Sequence, residues 1–128
     1  MRQSSLEIEA VAARLTALAS ECEVPGWDGY GALPIEAGAI ARAMALIRAL
    51  PEGVPIPELA AEPDGGVAMD WCYSRNAMVS MSVGARGDLP YAWIDGLDRG
   101  HGVATWDESS FPSPVLQRIR LSGTTAEP

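Results

Sequence analysis

The strictest constraint on the fold is a two-residue alternation that runs from residue 67 to residue 83. Every second position on both sides of a short polar segment is apolar: Val67, Met69, Trp71, Tyr73, Ala77, Val79, Met81 and Val83. A period of two is typical of a β-strand that buries one face. The polar segment Ser74-Arg75-Asn76 predicts a turn between two such strands. The sequence therefore predicts a β-hairpin with one apolar face, which other elements must cover.

Helical patterns before and after this hairpin predict the elements that cover its apolar face. Ser4-Ser5-Leu6-Glu7 matches a capping box and predicts a first helix that begins near Ser4 or Ser5. Apolar residues then recur at steps of three and four, as on one helix face: Ile8, Val11, Leu15, Leu18 and Cys22. This stripe fits the protein's own core or the surface of a second chain, and the core is favoured because most such stripes face it.

Two further helices are predicted after the first. Pro34 precedes a second apolar pattern over residues 35–50, and Pro51 and Gly53 end it. Ser113-Pro114 is typical of a helix cap with proline at the first helical position, and we expect this third helix to end near Leu121.

Three more segments have the character of strands. Prolines around residues 59–61 predict an extended edge segment, and Asp64-Gly65-Gly66 predicts the turn into the next strand. A strand is also expected at residues 89–94 and another at residues 101–106, with a loop over residues 95–100 between them.

The predicted fold class is therefore α+β. We expect two N-terminal helices, an antiparallel meander of four to five strands and a short C-terminal helix, with the helices on one sheet face. Residues 1–121 are predicted to form a single domain, and residues 122–128 a flexible C-terminal tail.

The segment Trp27-Asp28-Gly29-Tyr30-Gly31-Ala32 is the most distinctive loop of the chain. Glycines on both sides of Tyr30 permit backbone angles that other residues avoid, so we expect a specifically shaped loop. One interpretation makes Trp27 a structural plug between helices and sheet, with Asp28 binding nearby backbone amides. The other makes Trp27 and Tyr30 an exposed aromatic anchor for a partner.

The net charge of the chain limits the classes of molecule that we expect it to bind. The net charge of −8 argues against direct binding to nucleic acid or to anionic membranes, because phosphates attract a cationic surface. We expect a protein partner with a basic surface. Asp88, Asp95 and Asp98 are the candidate acidic contacts, beside Trp27, Asp28 and Tyr30.

A search for catalytic chemistry finds no coherent set of residues. His101 is the only histidine, all nine basic residues are arginine, and no serine or cysteine lies in a nucleophile motif. We therefore expect no enzyme activity, no cofactor and no metal. The alternative is a small-ligand-binding or enzymatic domain that uses the loop of residues 27–32, with Asp28 and Tyr30 and with His101 beside them.

The remaining features concern location and assembly. Cys22 and Cys72 lack the spacing of a zinc site or a disulfide scaffold, and we expect two buried, reduced thiols. The N-terminus lacks the apolar core of a signal peptide, so we expect a cytoplasmic protein that does not enter membranes. A homodimer through the first helix or an open sheet edge is also left open.

Two motifs together resemble a group of small uncharacterised bacterial proteins. They are the loop Trp-Asp-Gly-Tyr-Gly-Ala of residues 27–32 and the downstream Pro-Asp-Gly-Gly-Val of residues 63–67, followed by Asp70-Trp71. The resemblance spans roughly residues 25–121 and implies a recurring fold, with no site residues carried over. Small acidic proteins of this kind are often encoded by mobile elements or by defence and toxin loci. With this context, the expected function is a non-enzymatic inhibitor, antitoxin, immunity protein or phage-encoded or mobile-element regulator that binds a macromolecular partner.

Overall fold

The structure, a computed structural model, describes the backbone of residues 5–126 and the side chains of residue 7 and residues 9–123. Three helices and five strands follow in the order α1 (Ser5–Glu21), α2 (Ala37–Ala49), β1 (Glu58–Ala61), β2 (Val67–Ser74), β3 (Ala77–Val83), β4 (Leu89–Asp95), β5 (Asp98–Ala104) and α3 (Ser113–Ala126). The expected α+β architecture is thus confirmed. Ser4, the side chain of Ser5 and the side chain of Ile8, which carried part of the prediction for the first helix, lie outside the described residues.

The five strands form one antiparallel meander in sequence order. Its register runs straight across the sheet, so that Glu58, Asp70, Ser80, Ala92 and His101 form one cross-strand row. Tight turns join the strands, and Gly65 and Gly96 adopt positive φ angles of 95° and 67° within them. Glycine suits these positions because its missing Cβ removes the steric penalty of the left-handed region.

The core lies between the sheet and the helices, all on one side. Helix α3 packs across β2, β3 and β4, α2 packs on β2 and β3, and α1 packs on α2 and β1. Alternate residues of β2 and β3 enter this core, as the two-residue period predicts: Val67, Met69, Trp71, Ala77, Val79, Met81 and Val83. Each buried apolar side chain of this size contributes about 1.5–3 kcal/mol relative to exposure, so this layer is a principal source of stability.

Helix α2 begins later than predicted. Residues 35 and 36 are extended instead of helical, since the Ile35 amide donates to the Cys22 carbonyl at 2.9 Å and the Glu36 amide donates to the Gly65 carbonyl at 2.8 Å. Both amides thus bind elsewhere in the chain, and the helix starts at Ala37.

The predicted loop over residues 95–100 is mostly strand. Only a tight turn separates β4 from β5, which begins at Asp98 and ends at Ala104 instead of Trp106. The glycines that predicted a loop have a different role: a Cβ on Gly100 would lie 2.6 Å from the Trp93 ring, and one on Gly102 would lie 2.9 Å from the Tyr91 hydroxyl. Glycine at both positions lets β4 aromatic rings lie over β5.

The C-terminal helix is longer than expected. It continues past Leu121 to Ala126, and Ser122, where the flexible tail was predicted to begin, is fully buried. Gly123 passes close to Tyr73, whose ring would lie 3.3 Å from a Cβ at this position. Small residues at 122 and 123 therefore let the helix continue against β2. Residues 127 and 128 of the predicted tail lie outside the described residues.

The prediction of two buried cysteines holds for one of them. Cys22 is buried. Cys72 is exposed because it lies on the opposite face of β2 from its neighbours Trp71 and Tyr73, which face the core. Both thiols are free.

Candidate functional site

The loop between α1 and α2 is organised by the Asp28 carboxylate. Its Oδ1 atom accepts hydrogen bonds from the Tyr30 amide at 2.8 Å and from the Ala32 amide at 3.1 Å. The Gly26 amide donates to the Ala32 carbonyl at 2.6 Å and closes the loop at its base. Aspartate shapes turns in this way, because its short side chain accepts hydrogen bonds from backbone amides a few residues ahead. Asp28 thus fixes the conformation of the loop.

Trp27 adds a second side-chain hydrogen bond within the same connection. Its indole Nε1 donates to the Leu33 carbonyl at 2.8 Å, and the ring is partly buried. The contact gives the polar edge of the indole a partner within the loop.

The loop is also bound to the β1–β2 turn. The Leu33 amide donates to the Pro63 carbonyl at 2.7 Å, and Gly65 approaches so closely that a Cβ there would lie 3.1 Å from the Pro34 carbonyl oxygen. Residues 33 and 34, which directly follow the first motif at residues 27–32, therefore contact the second motif at residues 63–67.

Tyr30 is exposed on the loop that Asp28 and Trp27 hold. Its side chain is 93% exposed, and Val24 and Leu33 of the same connection are 56% and 57% exposed. Tyrosine is one of the residue types that are enriched at binding hot spots.

Acidic residues accompany the displayed tyrosine. Asp64 lies in the β1–β2 turn, against which the loop docks, and is exposed. Asp88 lies just before β4, at the end of the sheet that also carries this turn, and is exposed as well. The structure thus brings four predicted site residues to one end of the sheet: Trp27, Asp28, Tyr30 and Asp88.

The other two predicted acidic contacts lie at the opposite end. Asp95 ends β4 and Asp98 begins β5, where the Gly96 amide donates to the Asn76 carbonyl of the β2–β3 turn. The length of β4 separates them from Asp88 by about 20 Å. Asp88, Asp95 and Asp98 therefore form two separate acidic regions.

His101 does not join the loop. It is exposed in the middle of β5, four strands from β1 and about 19 Å across the sheet. Four surface grooves with volumes from 290 to 420 Å³ occur on the described residues, and Trp27, Asp28, Tyr30 and His101 line none of these four. His101 therefore lies apart from Asp28 and Tyr30.

A second candidate surface is the sheet face opposite the helices. The same alternation that buries Val67 and Met69 turns Ala68, Asp70 and Cys72 outward, and the register adds outward residues from every other strand. The sequence prediction missed this surface, although its strand alternation was a usable signal. The signal is incomplete because the period of one strand does not reveal which residues of five strands lie side by side.

The described part of the chain shows neither a metal site nor a membrane span. Its His, Cys, Asp and Glu side chains form no cluster of three or more that could hold a metal ion. None of the helices in this part is long and apolar enough to cross a membrane.

Comparisons with known proteins return no relative. No protein-family model matches the chain, and neither does any curated protein or solved structure.

Proposed function

We propose that this protein is a non-enzymatic protein-binding module whose main contact is the loop of residues 24–33, with Tyr30 as its anchor. The observation that carries the proposal is the 93% exposure of Tyr30 on a loop whose backbone is bound by the Trp27 and Asp28 side chains. Tyrosine is enriched at hot spots because it combines a large apolar ring with a polar hydroxyl.

Rigidity of the loop supports this role. A flexible loop loses roughly 0.5–1.5 kcal/mol of binding free energy for every mobile side chain that it must order in the complex. Asp28 and Trp27 already hold the backbone around Tyr30 in one conformation. Little ordering is then required of this loop when a partner binds.

The chemistry of the partner follows from the acidic residues nearby. Asp64 and Asp88 lie at the same end of the sheet as Tyr30, and the whole chain carries a net charge of −8. A partner with an apolar pocket for a tyrosine ring and arginine or lysine residues around it would match this surface. Such a role is that of an inhibitor, antitoxin, immunity protein or mobile-element regulator, which blocks a macromolecule by covering its surface.

The proposal places the protein in the cytoplasm. Cys22 and Cys72 are free, and the reducing cytosol keeps thiols in that state.

Site-specific photocrosslinking tests the proposal. A photoreactive phenylalanine analogue at position 30 is compared in the producing cells with the same analogue at position 97, since Leu97 is also fully exposed but lies in the β4–β5 turn. We expect one discrete adduct from position 30 and none from position 97.

The adduct then gives a partner for a binding measurement. Tyr30→Ala should weaken its affinity by about 30-fold or more, the effect of a hot spot worth about 2 kcal/mol, while Leu97→Ala leaves the affinity unchanged. Equal adducts at both positions, or an unchanged affinity of the Tyr30→Ala variant, would refute the role of this loop.

A further inference from the structure

The open face of the sheet carries an unusual mixture of side chains for a solvated surface. Apolar residues occupy every strand of this face: Ala60, Ala68, Met78, Pro90, Ala92, Ile94 and Val103. Val103 is 64% exposed, and Met78 and Ile94 are partly exposed in the row next to the β2–β3 turn. Antiparallel sheets often turn a polar face to water, but on this face β4 carries only apolar side chains.

The charges of this face are separated across the strands. Glu58 and Asp70 lie on β1 and β2, and Glu62 follows β1 beside them. Arg99 and His101 lie on β5, at the other side of the sheet. The centre, on β3, carries only Met78, Ser80 and Ser82 on this face. One half of the face is therefore acidic, and the other half carries an arginine and a histidine.

Two identical faces with this separation of charge can place the acidic half of one over the other half of its partner, but only under one of two possible two-fold axes. A two-fold axis that runs parallel to the strands through β3 places β1 of one copy over β5 of the other and keeps each cross-strand row aligned with itself. A two-fold axis perpendicular to the strands would instead place acidic β1 over β1. Either axis gives the isologous contact that a closed pair of identical chains requires, but only the first places the acidic half over the half that carries Arg99 and His101.

We propose that two copies of this chain pack face to face through their open sheet faces, around a two-fold axis parallel to β3. Glu58 then faces His101 of the second copy, because both belong to the row that contains Ser80. Ala60 faces Val103 in the next row. Along the axis Met78 meets Met78 and Ser80 meets Ser80, and the apolar side chains of β4 lie over β2 of the second copy.

The size of the face sets the expected strength of the dimer. Five strands spaced about 4.8 Å apart and about seven residues long cover roughly 600 Å². Two such faces bury about 1,200 Å², the lower limit of a specific interface, with the sheets about 10 Å apart. We therefore expect a dissociation constant in the micromolar range and a concentration-dependent mixture of monomer and dimer.

Sedimentation velocity over about 1–500 μM protein measures this equilibrium. The wild type should shift from monomer to dimer over this range. Met78→Arg places two like charges at the axis and should weaken the dimer at least 10-fold, whereas Leu97→Arg, on a fully exposed turn residue off this face, should leave it unchanged. Tyr30→Ala should also leave it unchanged, which separates this proposal from the binding role of the loop.

A charge exchange tests the direction of the axis. Glu58→Arg should weaken the dimer, because an arginine then faces the Arg99 and His101 side of the second copy. Glu58→Arg combined with His101→Glu places opposite charges at this contact and should recover most of the affinity. Failure of this rescue would overturn the proposed axis.

Crosslinking gives a second readout of the axis. In a Cys72→Ser background, Met78→Cys should link to itself through a short bis-maleimide, while Leu97→Cys should not. A protein that stays monomeric over the whole range overturns the proposal. The proposal is also overturned if Met78→Arg abolishes binding of a different, co-purifying protein and leaves self-association unchanged. The face would then bind that protein.

Discussion

Arg42 connects helix α2 to the β3–β4 loop from a nearly buried position. Its Nη1 donates to the Gly84 carbonyl at 2.9 Å, its Nη2 donates to the Gly87 carbonyl at 2.6 Å, and its guanidinium stacks 5.0 Å from the Trp106 ring centroid. Its Nε also lies 3.9 Å from the Glu108 carboxylate. The planar guanidinium bridges two carbonyls and an aromatic face at once, which lysine cannot do. Arg42 thus holds the loop that contains Asp88.

Substitution of Arg42 should therefore destabilise the protein even when the charge is kept. Arg42→Lys should lower the free energy of unfolding by about 1–3 kcal/mol, because one of the two bound carbonyls loses its donor and the stacking contact weakens. Arg48→Lys, on an exposed residue of the same helix, is the matched control and should change the value by less than about 0.5 kcal/mol. Urea denaturation measures both variants, and equal stabilities would contradict this role of Arg42.

Glu62 makes stability depend on pH through a single half-buried carboxyl group. Burial raises its pKa, and the negative charges of Asp64 and Asp70 raise it further, while the hydrogen bond from Ser82 Oγ, 2.9 Å long, acts in the opposite direction. The folded state thus binds this proton more tightly than the unfolded chain. The corresponding stability is complete below the unfolded pKa and is lost as the pH rises through the folded pKa.

Glu62→Gln should therefore stabilise the protein at pH 7 more than at pH 4. Glutamine carries no charge to desolvate and can still accept the Ser82 hydrogen bond. Thermal unfolding at the two pH values, at a concentration where the protein is monomeric, measures the difference. Glu9→Gln, on an exposed position of α1, is the control and should show a smaller difference. A Glu62→Gln variant that is destabilised equally at both pH values would count against this account.

At the scale of single elements, β5 shows how a strand forms from a sequence with low strand propensity. Its residues Asp98-Arg99-Gly100-His101-Gly102 favour a loop, because glycine in a strand lacks a side chain to pack. Trp93 and Tyr91 of β4 supply the missing surface by lying over Gly100 and Gly102. The Trp93 ring is covered in turn by the Arg118 guanidinium of α3, 3.6 Å from the ring centroid.

Gly100→Ala should disrupt this stack. The added Cβ would lie 2.6 Å from Trp93 Cζ2, so the ring must move and lose its contact with Arg118. We expect a loss of about 1–3 kcal/mol in the free energy of unfolding, as for other overpacked sites. Gly84→Ala is the control, since its nearest atom would be 3.6 Å away. Urea denaturation followed by tryptophan fluorescence compares them, and equal stabilities would show that the ring adapts without cost.

At the scale of the whole molecule, the two proposed surfaces lie on different parts of the chain. The Tyr30 loop docks on the β1–β2 turn at one end of the sheet, while the dimer face is the flat side away from the helices. Both can therefore be occupied together. A dimer would then present two Tyr30 loops, and a partner with two sites would gain affinity from that pairing.

The sequence allowed most of the fold to be predicted, because strand alternation and helical periodicity are local. Trp71 illustrates this, since its place in the alternation alone predicts its burial and the structure buries it. The candidate site was predictable only in part. Asp28 was expected to bind backbone amides and does, but the separation of Asp88 from Asp95 and Asp98 depends on which strand ends lie together.

The amino-acid sequence by itself determined the elements, their order and the apolar face of each, since these follow from side-chain spacing over a few residues. Only the tertiary structure decided which distant residues meet. Register across five strands placed Glu58 and His101 in one row, and close packing against aromatic rings turned the glycines of residues 100 and 102 from a loop signal into part of a strand. Such contacts join residues far apart in the chain, so no local pattern contains them.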